Sequence, residues 1–175
     1  MRLSEDRILV THTGSLPRPA ALTALYARRE RGEAVDGAEL AAAGREALRA
    51  IVAKQAHAGI DVGNNGEQQR EGFFLHMRRR LSGLGGSWKR WPRGDIERYP
   101  LFKQAFEDAM SRKTAVGNFA PPKVVGEMRY LGSGLIRQEC QEFRAVLDEL
   151  GAGFVEPFLT APSPGMIASA MRNEY

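Results

Sequence analysis

Four times along this 175-residue chain a short apolar run closes on glycine, asparagine or proline and then gives way to helical spacing. The runs are Arg7-Ile8-Leu9-Val10-Thr11, Gly59-Ile60-Asp61-Val62-Gly63, Pro122-Lys123-Val124-Val125-Gly126-Glu127-Met128 and Gly153-Phe154-Val155-Glu156-Pro157-Phe158-Leu159. Runs of this kind, bounded by turn residues, predict buried strands. Helices are predicted over Ala20–Arg31, from a cap at Asp36 to His57, around Phe73, Phe74, Met77 and Leu81, and over Leu101–Arg112 behind Pro100. The firmest stripe is Ile136, Cys140, Phe143, Val146, Leu147 and Leu150, which stops at Gly151; Ser163-Pro164 opens a last helix.

Parallel strands need helical crossovers, so the alternation predicts an α/β fold of about four βα units around a parallel sheet. A closed (β/α)8 barrel takes about 250 residues or more, and the four βα units read here are half of its eight. The closing Met171-Arg172-Asn173-Glu174-Tyr175 brings no further strand, so the chain reads as truncated. Ala115–Phe119 is a possible edge strand, and Ser82–Tyr99, rich in Gly, Trp and Arg, has the length of a functional loop.

Composition then narrows the classes. With 43% hydrophobic and 26% charged residues, the chain is neither disordered nor fibrous, and a net charge of +4 is too small and dispersed to argue for nucleic acid. The single cysteine, Cys140, rules out an intrachain disulfide and a Cys-rich zinc ribbon. The N-terminus lacks the apolar stretch of a secretory signal, and no run approaches the length that spans a bilayer. A cytoplasmic protein without membrane contact is expected.

Three segments sit where parallel α/β folds hold ligands, at the C-terminal ends of strands. In THTGSLPRP, residues 11–19, Gly14 permits close backbone approach, and Ser15 offers a hydroxyl and an N–H that suit a carboxylate. The same residues also suit a plain Gly-Ser-Pro turn with His12 facing the core. In DVGNNGEQQR, residues 61–70, Glu67 follows the second strand's turn and is either the partner of a ligand's ammonium or an acid favouring a helix start. Thr160–Gly165 closes the fourth strand and starts a helix, again at the ligand-bearing end, although a capped turn suffices to explain it. His12, His57, His76 and Cys140 are the only imidazole and thiol groups, and none shows metal-ligand spacing. His76 is expected on a half-exposed helix. Arg78, Arg79, Arg80, Lys89, Arg90 and Arg93, with Trp88 and Trp91, read as a solvated basic face and loop.

In order and spacing THTGSLPRP, DVGNNGEQQREGFF and FLTAPSPGMIASAMRNEY resemble segments of the cobalamin-independent methionine synthase family, including its single-domain, epoxyalkane:coenzyme M transferase-like relatives. The resemblance implies a (β/α)8 barrel in which zinc binds a homocysteine-like thiol and presents the thiolate to a methyl or alkyl donor. In its methionine-forming members the activity is 5-methyltetrahydropteroyltriglutamate–homocysteine methyltransfer. The family's grip on the amino-acid end of homocysteine falls here on Gly14, Ser15 and Glu67. His12 and Thr13 look more like the alkyltransferase relatives, which adds His12 to the substrate-binding set. The family's zinc ligands, a His-x-Cys pair, a Glu and a further Cys, lie in the later half of the barrel and are not in this sequence. The expectation is a substrate-gripping fragment without turnover of its own and with no catalytic residue assigned. The alternative is a non-catalytic half-barrel module that assembles with a complementary chain or with itself through open sheet edges. A third reading, a decarboxylase of the uroporphyrinogen type, suits the basic cluster but not the GNNGE motif.

Overall fold

The computed structural model describes residues 2–88, 94–111 and 121–175. Its helices are α1 (Ala20–Glu30), α2 (Gly37–His57), α3 (Gly94–Arg98), α4 (Pro100–Ser111), α5 (Gly134–Leu150) and α6 (Pro164–Ala170), with a 3-10 turn over Leu75–Arg79. Two short strands, β1 (Leu84–Gly85) and β2 (Lys123–Val124), form a small antiparallel sheet. The architecture is mixed and helix-rich.

Helix ends follow local chemistry. The Asp36 side chain accepts from the Ala38 N–H at 2.9 Å, satisfying an otherwise unpaired donor of α2. Gly151, at φ 56°, ends α5 in the left-handed conformation that glycine adopts without a Cβ clash. Ser163 Oγ accepts from Met166 N at 3.1 Å and caps α6, with Pro164 in its first turn.

The largest apolar cluster joins α2 to α5 through Leu48, Val52, Phe143, Val146 and Leu147, with Phe154 and Leu159 packed against it. Phe154 and Leu159 belong to the segment leading to the candidate site, so this core fixes where that segment ends. Three extended segments run parallel: Thr11 bridges Val62, and Asn64 bridges Phe158. Asp61 N donates to Val10 O at 2.9 Å and Phe158 N to Gly63 O at 3.0 Å. Asp61 also clamps the first segment with its side chain, pairing with Arg7 and accepting from Val10 N at 2.8 Å. These contacts hold the Asp61 carboxyl down to about 2, the Arg7 bond first and the Val10 N–H next.

The third predicted strand behaves differently. Within Pro122–Met128, Lys123 and Val124 pair antiparallel with Gly85 and Leu84, and Val124 also bridges Asn173. The segment therefore joins a small antiparallel pair packed on the chain's last residues, and among the described residues three of the four predicted strands run parallel. Gly83 lets the two strands approach, because a Cβ there would lie 2.4 Å from Gly126 O. The helix predicted around Phe73 to Leu81 is a single 3-10 turn, since Phe74 and Leu75 are buried against Ala170 and Met171 instead of lining a longer helix. The Ser82–Tyr99 loop supplies β1 and α3. The possible edge strand at Ala115–Phe119, Arg112 and the cluster members Lys89, Arg90, Trp91 and Arg93 lie outside the described residues.

Candidate functional site

The turn after the second parallel segment is built by its own side chains. Asn64 Oδ1 accepts from Gly66 N at 2.7 Å, and Asn65 Oδ1 from Glu67 N at 3.0 Å, each side chain capping the backbone two residues on. Gly66 at φ 60° and Glu67 at φ 54° both turn left-handed, and Glu67 is the one non-glycine described residue that does so. Holding a non-glycine there costs about 1–2 kcal/mol, and such residues concentrate at functional sites. The strained Glu67 backbone is over-determined: its carbonyl accepts from Arg18 at 2.8 Å and from Arg70 N at 3.1 Å.

The first motif's loop is laid onto this turn. Leu16 N donates to Gly66 O at 3.1 Å, and Gln68 Nε2 to Leu16 O at 3.1 Å. Tyr26 of α1 donates to Gln68 O at 3.0 Å, and burial raises its phenol well above the ordinary range. Gly14, Ser15, Glu67, Phe73, Phe158 and Thr160 thereby line one cavity of about 490 Å³, just beyond the ends of the three parallel segments.

Glu67 is 2% exposed. Thr160 Oγ1 donates to its Oε1 at 2.8 Å, whereas Oε2 is buried with no hydrogen-bond partner among the described residues. A Cβ on Gly14 would sit 2.3 Å from Glu67 Oε1 and 2.6 Å from Thr160 Cγ2, so only glycine lets the loop pass this close. Arg70, 1% exposed, donates to Thr160 O at 2.8 Å and to Glu139 Oε1 at 2.7 Å. Glu139 also receives Asn65 Nδ2 at 2.8 Å and Arg80 at 2.6 Å. Burial by itself pushes the Glu139 carboxyl up, but Arg70 and Arg80 together hold it below the usual range.

The structure thus brings Gly14, Ser15 and Glu67 to one cavity. His12 is not among the lining residues: its Nε2 lies 2.8 Å from Gln55 Oε1 and its Nδ1 2.8 Å from Thr13 O. Gln55 also donates to Asn64 O at 2.8 Å, so His12 braces the loop against α2. Sequence puts Thr160 at the ligand-bearing end of the last strand but assigns it no role, and Arg70 and Glu139 carry no local signal that marks them as site residues. Arg78 pairs with Glu30, Arg79 with Glu71 and Arg80 with Glu139; Arg79 stays 45% exposed on the expected solvated face, whereas the Arg80 side chain, 11% exposed, turns inward. His76, expected to be half-exposed, is 4% exposed. Among the described residues, no group of three or more His, Cys, Asp or Glu is placed to hold a metal. No helix of the described residues is long and apolar enough to cross a membrane.

Taken together, these features define a mixed, helix-rich protein with a carboxylate-bearing cavity beyond the ends of its parallel segments. No family model matches the chain, and no curated protein matches it in sequence. In structure it is similar to a B12-independent methionine synthase from Shewanella sp. W3-18-1, solved in complex with selenomethionine. The TM-score is 0.60 at 20% identity, over 93% of this chain and 40% of that one. The likeness is one of fold, and this chain spans 40% of that protein's length.

Proposed function

We propose that residues 1–175 form the substrate-gripping part of a methionine-synthase-like (β/α)8 barrel, a fragment of a thiol methyl- or alkyltransferase. In this reading the cavity takes the amino-acid end of a homocysteine-like thiol. The observation that supports it is Glu67 Oε2, a buried carboxylate oxygen without a donor on the wall of that cavity. Leaving such an atom unpaired is costly, and a ligand's ammonium is the donor that satisfies it. Ser15 and the backbone at Gly14 then meet the ligand's carboxylate, while Phe73 and Phe158 offer apolar wall to the carbon–sulfur chain. Selenomethionine, held by the Shewanella protein, carries the same two polar ends. The described residues do not make a zinc site, so no step is assigned to a metal here. His12 acts in this reading by fixing the loop that carries Gly14 and Ser15. The protein works in the cytoplasm on a small molecule, with neither nucleic acid nor membrane as partner.

Calorimetric titration tests the grip. L-methionine is expected to bind at least tenfold tighter than 4-(methylthio)butanoate, which lacks the ammonium, since a charge-assisted hydrogen bond contributes about 1.5–3 kcal/mol. Glu67→Gln should erase that preference. Equal binding of the two compounds to the wild type overturns the reading. Supplied with zinc, homocysteine and methyl-folate, the chain alone should form no methionine; methionine formation would show that it is no inactive fragment.

A second reading, a half-barrel module that pairs with itself or a complementary chain, draws on the first parallel segment. Its Ile8 and Val10 are 83% and 47% exposed. Sedimentation showing only monomer at high concentration rules out self-pairing.

A further inference from the structure

A second cavity, of about 340 Å³, opens among α1, α2, the Leu75–Arg79 turn and α5. Its wall carries four guanidinium groups against three carboxylates. Most of them form two arginine–glutamate–arginine triads. Arg29 and Arg79 each lie 3.2 Å from Glu71, while Arg70 and Arg80 lie 2.7 and 2.6 Å from Glu139. Each triad retains one positive charge. In the second, the Arg70, Glu139 and Arg80 side chains are only 2%, 5% and 11% exposed. A residual charge at that depth is unfavourable unless an opposite charge approaches. The third carboxylate, Glu142, accepts from the Gln69 and Gln138 amides and offsets only one of the two.

Two unpartnered acceptors on the same wall restrict the kind of anion. His76 Nδ1 donates to Gly72 O at 3.1 Å, and Nε2 is buried without a partner among the described residues. Burial first, then Arg70 and Arg80, pull its pKa below the ordinary imidazole value; a neutral ring with Nδ1 protonated presents Nε2 as a bare acceptor. Gln69 Oε1 is likewise buried and unpartnered, and its orientation follows from Nε2 facing the Glu142 carboxylate. The arginines suit an oxyanion, whereas Nε2 and Oε1 require that it bring a proton. Inorganic phosphate near neutral pH carries both charge and hydroxyl. Sulfate, of the same shape, has no proton to donate.

We propose that this cavity binds inorganic phosphate, separately from the Glu67 site, by pairing its charged oxygens with the arginine triads and its hydroxyl with His76 or Gln69. Calorimetry at pH 7 with phosphate and sulfate tests it. Phosphate should bind at least tenfold tighter than sulfate, and Arg79→Gln should weaken it at least tenfold while circular-dichroism melting shows the fold retained. The Arg79 side chain is 45% exposed, which favours a folded variant. Gln69→Leu, as a second variant, should narrow the preference over sulfate. No phosphate binding, equal affinity for the two ions, or a folded Arg79→Gln variant that binds normally overturns the proposal.

Discussion

At Gly63 a single hydrogen separates a fitting side chain from a clash: an added Cβ would lie 2.3 Å from the Phe154 ring. Gly63→Ala should therefore destabilise the chain by about 1–3 kcal/mol, visible as a lower urea midpoint with an unchanged slope. Gly14→Ala meets Glu67 Oε1 and Thr160 Cγ2 instead, so it should displace the carboxylate and weaken L-methionine at least tenfold in the titration described above. The Gly-rich turns themselves were legible in THTGSLPRP and GNNGE, because turn chemistry acts over two or three residues. What each glycine makes room for was not legible, since Thr160 meets Glu67 across 93 positions of chain.

Among the elements, α2 and α5 show most clearly how far periodicity reaches. The stripe Phe143, Val146 and Leu147 is buried as its spacing predicts, against Leu48 and Val52. Leu48→Ala should cost about 2–5 kcal/mol by thermal or chemical denaturation. One turn earlier the pattern misleads: Cys140 is exposed, and Glu139 takes the buried place with Arg70 and Arg80 around it. A hydropathy stripe ranks cysteine above glutamate; only waiting guanidinium groups reverse that order. The extended segments carry a pH signature of their own. The Asp61 value near 2 lies below the unfolded value of about 3.9, so the stability it contributes is complete above about pH 4 and is lost as pH falls through about 2. The stability difference between wild type and Asp61→Asn should shrink across that window. A difference that persists unchanged below pH 2 would contradict the assignment.

Over the whole molecule, Glu139 ties α5 to the Asn65 turn, to Arg80 beyond the 3-10 turn and, through Arg70, to Thr160. Glu139→Ala leaves two buried guanidinium groups facing each other and should cost about 3–5 kcal/mol in equilibrium denaturation. Because Arg70 also holds Thr160, which in turn donates to Glu67, the same substitution should weaken L-methionine at the Glu67 site.

The amino-acid order alone determined α1, α2, α4, α5 and α6, the caps at Asp36, Gly151 and Ser163 and the turns, all of which depend on residues a few positions apart. Tertiary structure decided that Pro122–Met128 pairs antiparallel with Leu84–Gly85, that Arg80 turns inward to Glu139 and that His12 braces Gln55. Those outcomes depend on which charges and surfaces meet across distant stretches of chain, where burial sets the energy of every polar contact and local pattern carries no information.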